Sequence, residues 1–80
     1  MLKLKIISPT ETIFDGEIKH AFFPGEIGLF EVLPKHAPLI SSLVKGEITY
    51  TLKSDEEKKI RISSGFVEVN ADIITACIEN

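Results

Sequence analysis

The sequence contains no tryptophan, one tyrosine, one methionine and a single cysteine, Cys77, in 80 residues. A lone cysteine excludes an internal disulfide and every paired-cysteine zinc or redox spacing, and it fits a reducing, cytoplasmic setting. There is no apolar run near the roughly 20 residues that a helix needs to cross a bilayer. The opening Met1-Leu2-Lys3-Leu4-Lys5 alternates where a signal peptide would be continuously apolar. Membrane association is therefore expected only through a protein partner. Basic charge is also scarce: nine Lys and Arg against twelve Asp and Glu leave a net charge of −3. With no basic stripe, binding to a nucleic-acid backbone lacks its electrostatic term. No segment keeps a helical period.

What remains is an ordinary globular composition, 44% apolar and 26% charged, in a length that suits one domain, residues 1–80, with one shared core. Apolar residues recur at every second position from Leu2 to Ile6, in Ile48, Tyr50 and Leu52, and again in Ile60 and Ile62. That period places alternate side chains on opposite faces of a sheet. Turn signals separate the strands. Asp15-Gly16 predicts a hairpin after Thr12-Ile13-Phe14, Phe23-Pro24-Gly25-Glu26 a type II turn, and Ser54-Asp55-Glu56-Glu57 a polar hairpin tip. Asn70-Ala71-Asp72 joins a last pair, Phe66–Val69 and Ile73–Ile78. Gly28 marks a bulge or close approach within Ile27–Leu33, and Ile40–Val44 reads as a strand or one helical turn. The fold class is all-β, a sandwich or small barrel.

No residue pattern supports catalysis. His20 and His36 lack a Cys or His at metal-ligand spacing, and His20 reads as a surface histidine. No Gly-x-Ser-x-Gly elbow is present, and Cys77 lies in an apolar terminal strand, where a thiol acts as a small hydrophobe. Glu56 and Glu57 fall on a solvated tip without an apolar pocket to raise a pKa. Gly25-Glu26-Ile27-Gly28 lacks the following helix that a phosphate loop requires. No catalytic residue, metal ligand or cofactor is assigned. More informative is Leu33-Pro34-Lys35-His36-Ala37-Pro38-Leu39, where two prolines stiffen a loop and present Lys35 and His36 with little entropy left to lose on docking.

The order of these motifs, Asp15-Gly16, Gly25-Glu26-Ile27-Gly28, Pro34-Lys35-His36-Ala37-Pro38-Leu39, Gly46 and Ser63-Ser64-Gly65-Phe66-Val67-Glu68-Val69, resembles the epsilon subunit of bacterial F-type ATP synthases. The likeness spans nearly the whole chain. It implies a flattened β-sandwich of about ten short antiparallel strands, bound to the gamma subunit and resting on the polar loops of the c-ring. The implied role is mechanical and non-catalytic: a central-stalk rotor subunit coupling proton flow to ATP synthesis, peripheral on the cytoplasmic face of the bacterial inner membrane. Carried over by motif, Glu26 and His36 would face the c-ring. The stretch between Gly28 and Pro34 is about three residues longer than the common pattern and adds Glu31, a second candidate carboxylate. Lys35 stands where the family often has glycine, adding positive charge to the same contact. The family commonly continues beyond the position of Asn80 into an inhibitory two-helix hairpin that carries its ATP site where one exists. Neither property is implied for residues 1–80. The other reading of the residues, a free-standing β-barrel or sandwich binding module, needs exposed aromatics that this composition hardly supplies.

Overall fold

The computed structural model describes residues 1–80 as eight strands without a helix: β1 Leu2–Ile7, β2 Thr12–Pro24, β3 Leu29–Val32, β4 Leu39–Leu43, β5 Gly46–Leu52, β6 Glu57–Ile62, β7 Ser64–Asn70 and β8 Ile73–Glu79. They pair in the order β4-β7-β8-β1-β2-β5-β6, with β3 also on β2. The all-β class stands, while the count is eight in place of about ten. One pair departs from an all-antiparallel sheet: β1 and β8 run parallel, Leu4 opposite Ile74 and Ile6 opposite Ala76. Parallel neighbours need a long crossover, and here nearly the whole chain lies between them.

The merged strand is β2. Asp15 and Gly16 sit inside it, opposite Lys5 and Leu4 of β1, so the Asp-Gly turn signal is overruled. The reversal occurs earlier, where the Ser8 N–H donates to the Glu11 carbonyl at 2.9 Å. The Phe14 ring covers Gly16, and a Cβ there would stand 3.2 Å from Phe14 Cζ. An aromatic lid of this kind offsets the weakness of glycine in a strand.

Thirteen residues of straight strand would span about 40 Å, yet the longest extent of the molecule is 27 Å. β2 must therefore bend, and the pairing with β5 shifts register between Ile18 and His20. The bulge also changes parity. Ile18 is buried before it, Ala21 and Phe23 after it, which swings one strand from the layer of β1 to the layer of β3, β5 and β6.

The two layers enclose one apolar core. It takes Leu2, Leu4 and Ile6 from β1, Ile48 and Tyr50 from β5, Val67 and Val69 from β7, and Ile74, Ala76 and Ile78 from β8. Phe23, the largest fully buried side chain, stacks on Phe30 at a centroid distance of 5.7 Å. Full burial of each such side chain contributes about 1.5–3 kcal/mol. Ile40–Val44 resolves as strand β4, closed against the end of β2 by a bridge from Leu43 to Gly25.

Candidate functional site

The four residues singled out for docking are distributed along β3. At its N-terminal end, the expected type II turn over Phe23–Glu26 is replaced by a loop one step later. Pro24 still pairs with Leu29, and Gly25 and Gly28 exchange backbone hydrogen bonds, both 3.1 Å. Gly28 takes φ 152°, a conformation that favours glycine. A Cβ at Gly25 would come within 2.8 Å of both the Gly28 carbonyl and the Phe30 ring. The Glu26 N–H donates to the Ser42 carbonyl at 3.1 Å, tying the loop to β4. The Glu26 carboxylate is exposed and enters no ion pair.

At the other end of β3, the His36 N–H donates to the Leu33 carbonyl at 3.2 Å and closes a turn around Lys35. Lys35 has φ 66°, a left-handed conformation that glycine adopts at less cost than a side-chain-bearing residue. Its N–H donates to Asp72 Oδ1 at 2.6 Å. His36 Nδ1 lies 2.7 Å from the Ala37 carbonyl. A carbonyl only accepts, so Nδ1 carries a proton. The four residues of β3, at about 3.3 Å each, put about 13 Å of strand between the Glu26 loop and the Lys35-His36 turn.

Glu31 lies between these ends, opposite Phe22 of β2. Its Oε2 is 3.1 Å from His20 Nδ1, within ion-pair range but off the direction of a hydrogen bond, leaving that buried nitrogen without a donor or acceptor partner. His20 is thus half-buried and not the plain surface histidine expected from its charged neighbour Lys19. The bulge at Lys19 turns it towards β3, a tertiary effect without a local signal.

The outer faces of the two layers differ. Over β5 and β6 the outward pairs are Glu47 with Arg61, Thr49 with Lys59 and Thr51 with Glu57, a polar, charged surface. Over β4, β7, β8 and β1 a row runs Ser42, Phe66, Cys77, Ile7. Phe66, Ile40 and Ile73 are 51%, 77% and 53% exposed. Exposed apolar side chains grouped on one face of a small domain mark a protein contact. Val67 and Val69, which by sequence could serve a core or a partner face, are buried, and nothing in the sequence signals that Phe66 and Cys77 share a row with Ile7, because the parallel β1–β8 pairing creates it. Of the five phenylalanines and one tyrosine, Phe66 alone is exposed, which leaves no aromatic platform for a sugar or base. No three His, Cys, Asp or Glu side chains form a group that could hold a metal ion.

Residues 1–80 match the family described as ATP synthase, Delta/Epsilon chain, beta-sandwich domain. The ATP synthase epsilon chain of a Nitratiruptor species is 45% identical over 78 residues, covering 98% of this chain and 60% of the relative. That of Chlorobium limicola is 36% identical over 70 residues, covering 88% of this chain and 80% of the relative. In the cryo-EM structure of the Euglena gracilis mitochondrial ATP synthase, OSCP/F1/c-ring in rotational state 1, one chain superimposes with a TM-score of 0.93 at 20% identity, over 99% of this chain and 51% of its own length. That likeness is one of fold. The chain spans about three fifths of the length of the Nitratiruptor relative and of a second epsilon chain, from a Sulfurovum species, at 60% and 62%.

Proposed function

Because this chain belongs to the ATP synthase delta/epsilon β-sandwich family, we propose that it is a non-catalytic rotor subunit linking gamma to the c-ring and coupling proton flow to ATP synthesis. The observation that carries the reading is the asymmetry of the sandwich. A subunit held between two partners needs a broad surface for one and a projecting end for the other. The outer face of β4, β7 and β8, with Ile40, Phe66 and Ile73 exposed, is the surface assigned to gamma. The loops at the two ends of β3, carrying Glu26 and Lys35 with His36, are assigned to the polar loops of the ring. Glu31 sits between them, its Oε2 3.1 Å from His20 Nδ1.

This arrangement suits torque transfer. A sandwich whose two layers share one core deforms little under load, since close-packed interiors have low compressibility. The assembly would place the chain at the cytoplasmic surface of the bacterial inner membrane, held there by its partners.

The test is reconstitution. Full-length subunit should co-purify with gamma and the c-ring. Inverted membrane vesicles depleted of it should lose ATP synthesis while leaking protons, with synthesis restored by adding the subunit back. Intact synthesis in depleted vesicles overturns the proposal. Replacing Phe66 and Ile40 together by Ser should weaken the gamma contact without lowering thermal stability, because neither side chain belongs to the core.

A further inference from the structure

β3 is the shortest strand, four residues, and it pairs with β2 alone. One side-chain contact fastens its outer face. The register shift between Ile18 and His20 puts His20 and Phe22 on the outside of β2, and the pairing of Phe22 with Glu31 puts Glu31 on the same face. His20 and Glu31 are then diagonal neighbours, about 7–8 Å apart at the backbone, a gap that long side chains bridge. Glu31 Oε2 lies 3.1 Å from His20 Nδ1, and the Phe22 ring meets the imidazole edge-on with centroids 5.9 Å apart. Nδ1 itself is buried and has no hydrogen-bond partner. An imidazole nitrogen without its proton presents a lone pair, which a carboxylate oxygen at this distance repels. The imidazolium carries a proton on both nitrogens, and its attraction to the carboxylate needs no linear hydrogen bond. Other charges leave this pair alone. β5 places Thr51 opposite His20 and Thr49 opposite Phe22, while its Tyr50 opposes Ala21 on the core side. β6 adds Glu57 and Lys59 one strand further out, opposite in sign, and its Lys58 is paired with Glu56. On β2, Lys19 is paired with Asp55 and Glu17 with Lys53. Glu31 is the one charged group within ion-pair range of the ring.

We propose that His20 and Glu31 form a proton-operated clasp, which fastens β3 to β2 when the imidazole is charged and releases it when the ring is neutral. The clasp does not depend on the rotor reading. Histidine as a residue type changes charge between about pH 5 and 8, so the clasp is closed towards the acid end of that range and opens as pH rises through it. It stays closed until the pH falls far enough to neutralise carboxylates, about pH 4. Both side chains are partly exposed, 33% and 36%, which sets a modest size: such a pair changes the opening equilibrium of β3 by up to about fivefold. The loops at the two ends of β3, with Glu26 at one and Lys35 and His36 at the other, are held more firmly at the acid end.

The experiment follows hydrogen exchange of the full chain at about pH 5.5 and about pH 8, for wild type, Glu31→Gln, His20→Gln and His36→Gln. Protection of each amide is taken relative to the unstructured rate at the same pH, and circular dichroism melts show that each variant keeps its fold. Wild-type β3 amides should lose about three- to fivefold in protection at the higher pH, with amides of β1, β7 and β8 holding theirs. Glu31→Gln and His20→Gln should abolish the difference, and His36→Gln should keep it. Nitrogen NMR shifts of the wild-type His20 ring give a second readout, an imidazolium at the lower pH and a neutral ring at the higher. Equal wild-type protection at both pH values overturns the clasp, as does a ring that stays neutral at the lower pH. A difference that survives Glu31→Gln overturns it too, and its loss in His36→Gln would assign the response to the turn after β3. Each of these failures leaves the rotor reading standing.

Discussion

The Asp72 carboxylate accepts the backbone N–H of Lys35 at 2.6 Å, across 37 positions of sequence. Asp72 lies in the two-residue turn between β7 and β8, with Ala71 and Asp72 at φ 52° and 63°, the mirror-type turn that matches strand twist. Its own carbonyl accepts the Lys3 N–H at 2.9 Å. One residue thereby links the proline-flanked loop, the N-terminal strand and the last hairpin.

Removing that carboxylate should loosen the loop before it harms the fold. Asp72→Gly keeps a residue suited to positive φ but deletes the acceptor, whereas Asp72→Asn retains an acceptor oxygen. Amide exchange at Lys35 should quicken by about fivefold in the glycine variant, which corresponds to a net hydrogen bond of about 1 kcal/mol. The asparagine variant should stay near wild type. Equal exchange rates in all three would show that the bond does not order the loop.

Lys35 itself carries a backbone cost. A side chain in the left-handed region costs about 1–2 kcal/mol relative to its right-handed form, partly offset by the greater unfolded-state freedom of glycine. Lys35→Gly should therefore leave stability unchanged or raise it by up to about 1 kcal/mol. Lys35→Val, β-branched, should lower it by at least about 1 kcal/mol. Chemical denaturation of the pair gives the comparison, and a valine variant as stable as the glycine one would contradict it.

Gly65 lies in β7 where there is no room for a methyl group. A Cβ there would stand 2.4 Å from the Cys77 carbonyl and 3.1 Å from Ile78 Cα, both backbone atoms that move only with strand β8. Gly65→Ala should cost about 1–3 kcal/mol or more and lower the melting temperature by several degrees. Gly28→Ala meets nothing within 4 Å, so its cost comes only from φ 152°. The two substitutions separate close approach from conformation.

Tyr50 links the core to pH. Burial pushes its hydroxyl above the usual value of 10.0, while Lys58 opposite pulls it down. The folded state therefore holds this proton more tightly than the unfolded chain. Stability from this group is level below pH 10 and falls as pH rises from there through the raised folded value. Tyr50→Phe should flatten that alkaline fall in urea denaturation series and leave the neutral range little changed. An unaltered alkaline slope would assign the fall to other groups.

Much of this was legible in the residues. Alternation in β1 and β5 grouped Leu2, Leu4 and Ile6, and Ile48 with Tyr50, on faces that the fold buries, because strand parity is local: once a stretch is extended, every second side chain shares a face. The 54–57 tip and the Ala71-Asp72 turn were equally local. The loops at the two ends of β3 could be found as well, since proline and glycine limit backbone conformation wherever they occur.

What the tertiary structure alone decided concerns pairing between distant edges. Asp15-Gly16 became mid-strand because β1 offered a continuous partner and Phe14 covered the glycine. The bulge at Lys19 reversed the parity of β2 and brought His20 beside Glu31, so one of the two candidate carboxylates lies against a histidine and the other, Glu26, enters no ion pair. The parallel β1–β8 pair built the Phe66, Cys77 and Ile7 row. A turn signal or an alternating run expresses only the preference of a few neighbouring residues, worth about 1 kcal/mol. Which edges meet is settled by a core of sixteen buried side chains drawn from all eight strands, and that sum outweighs any single local preference.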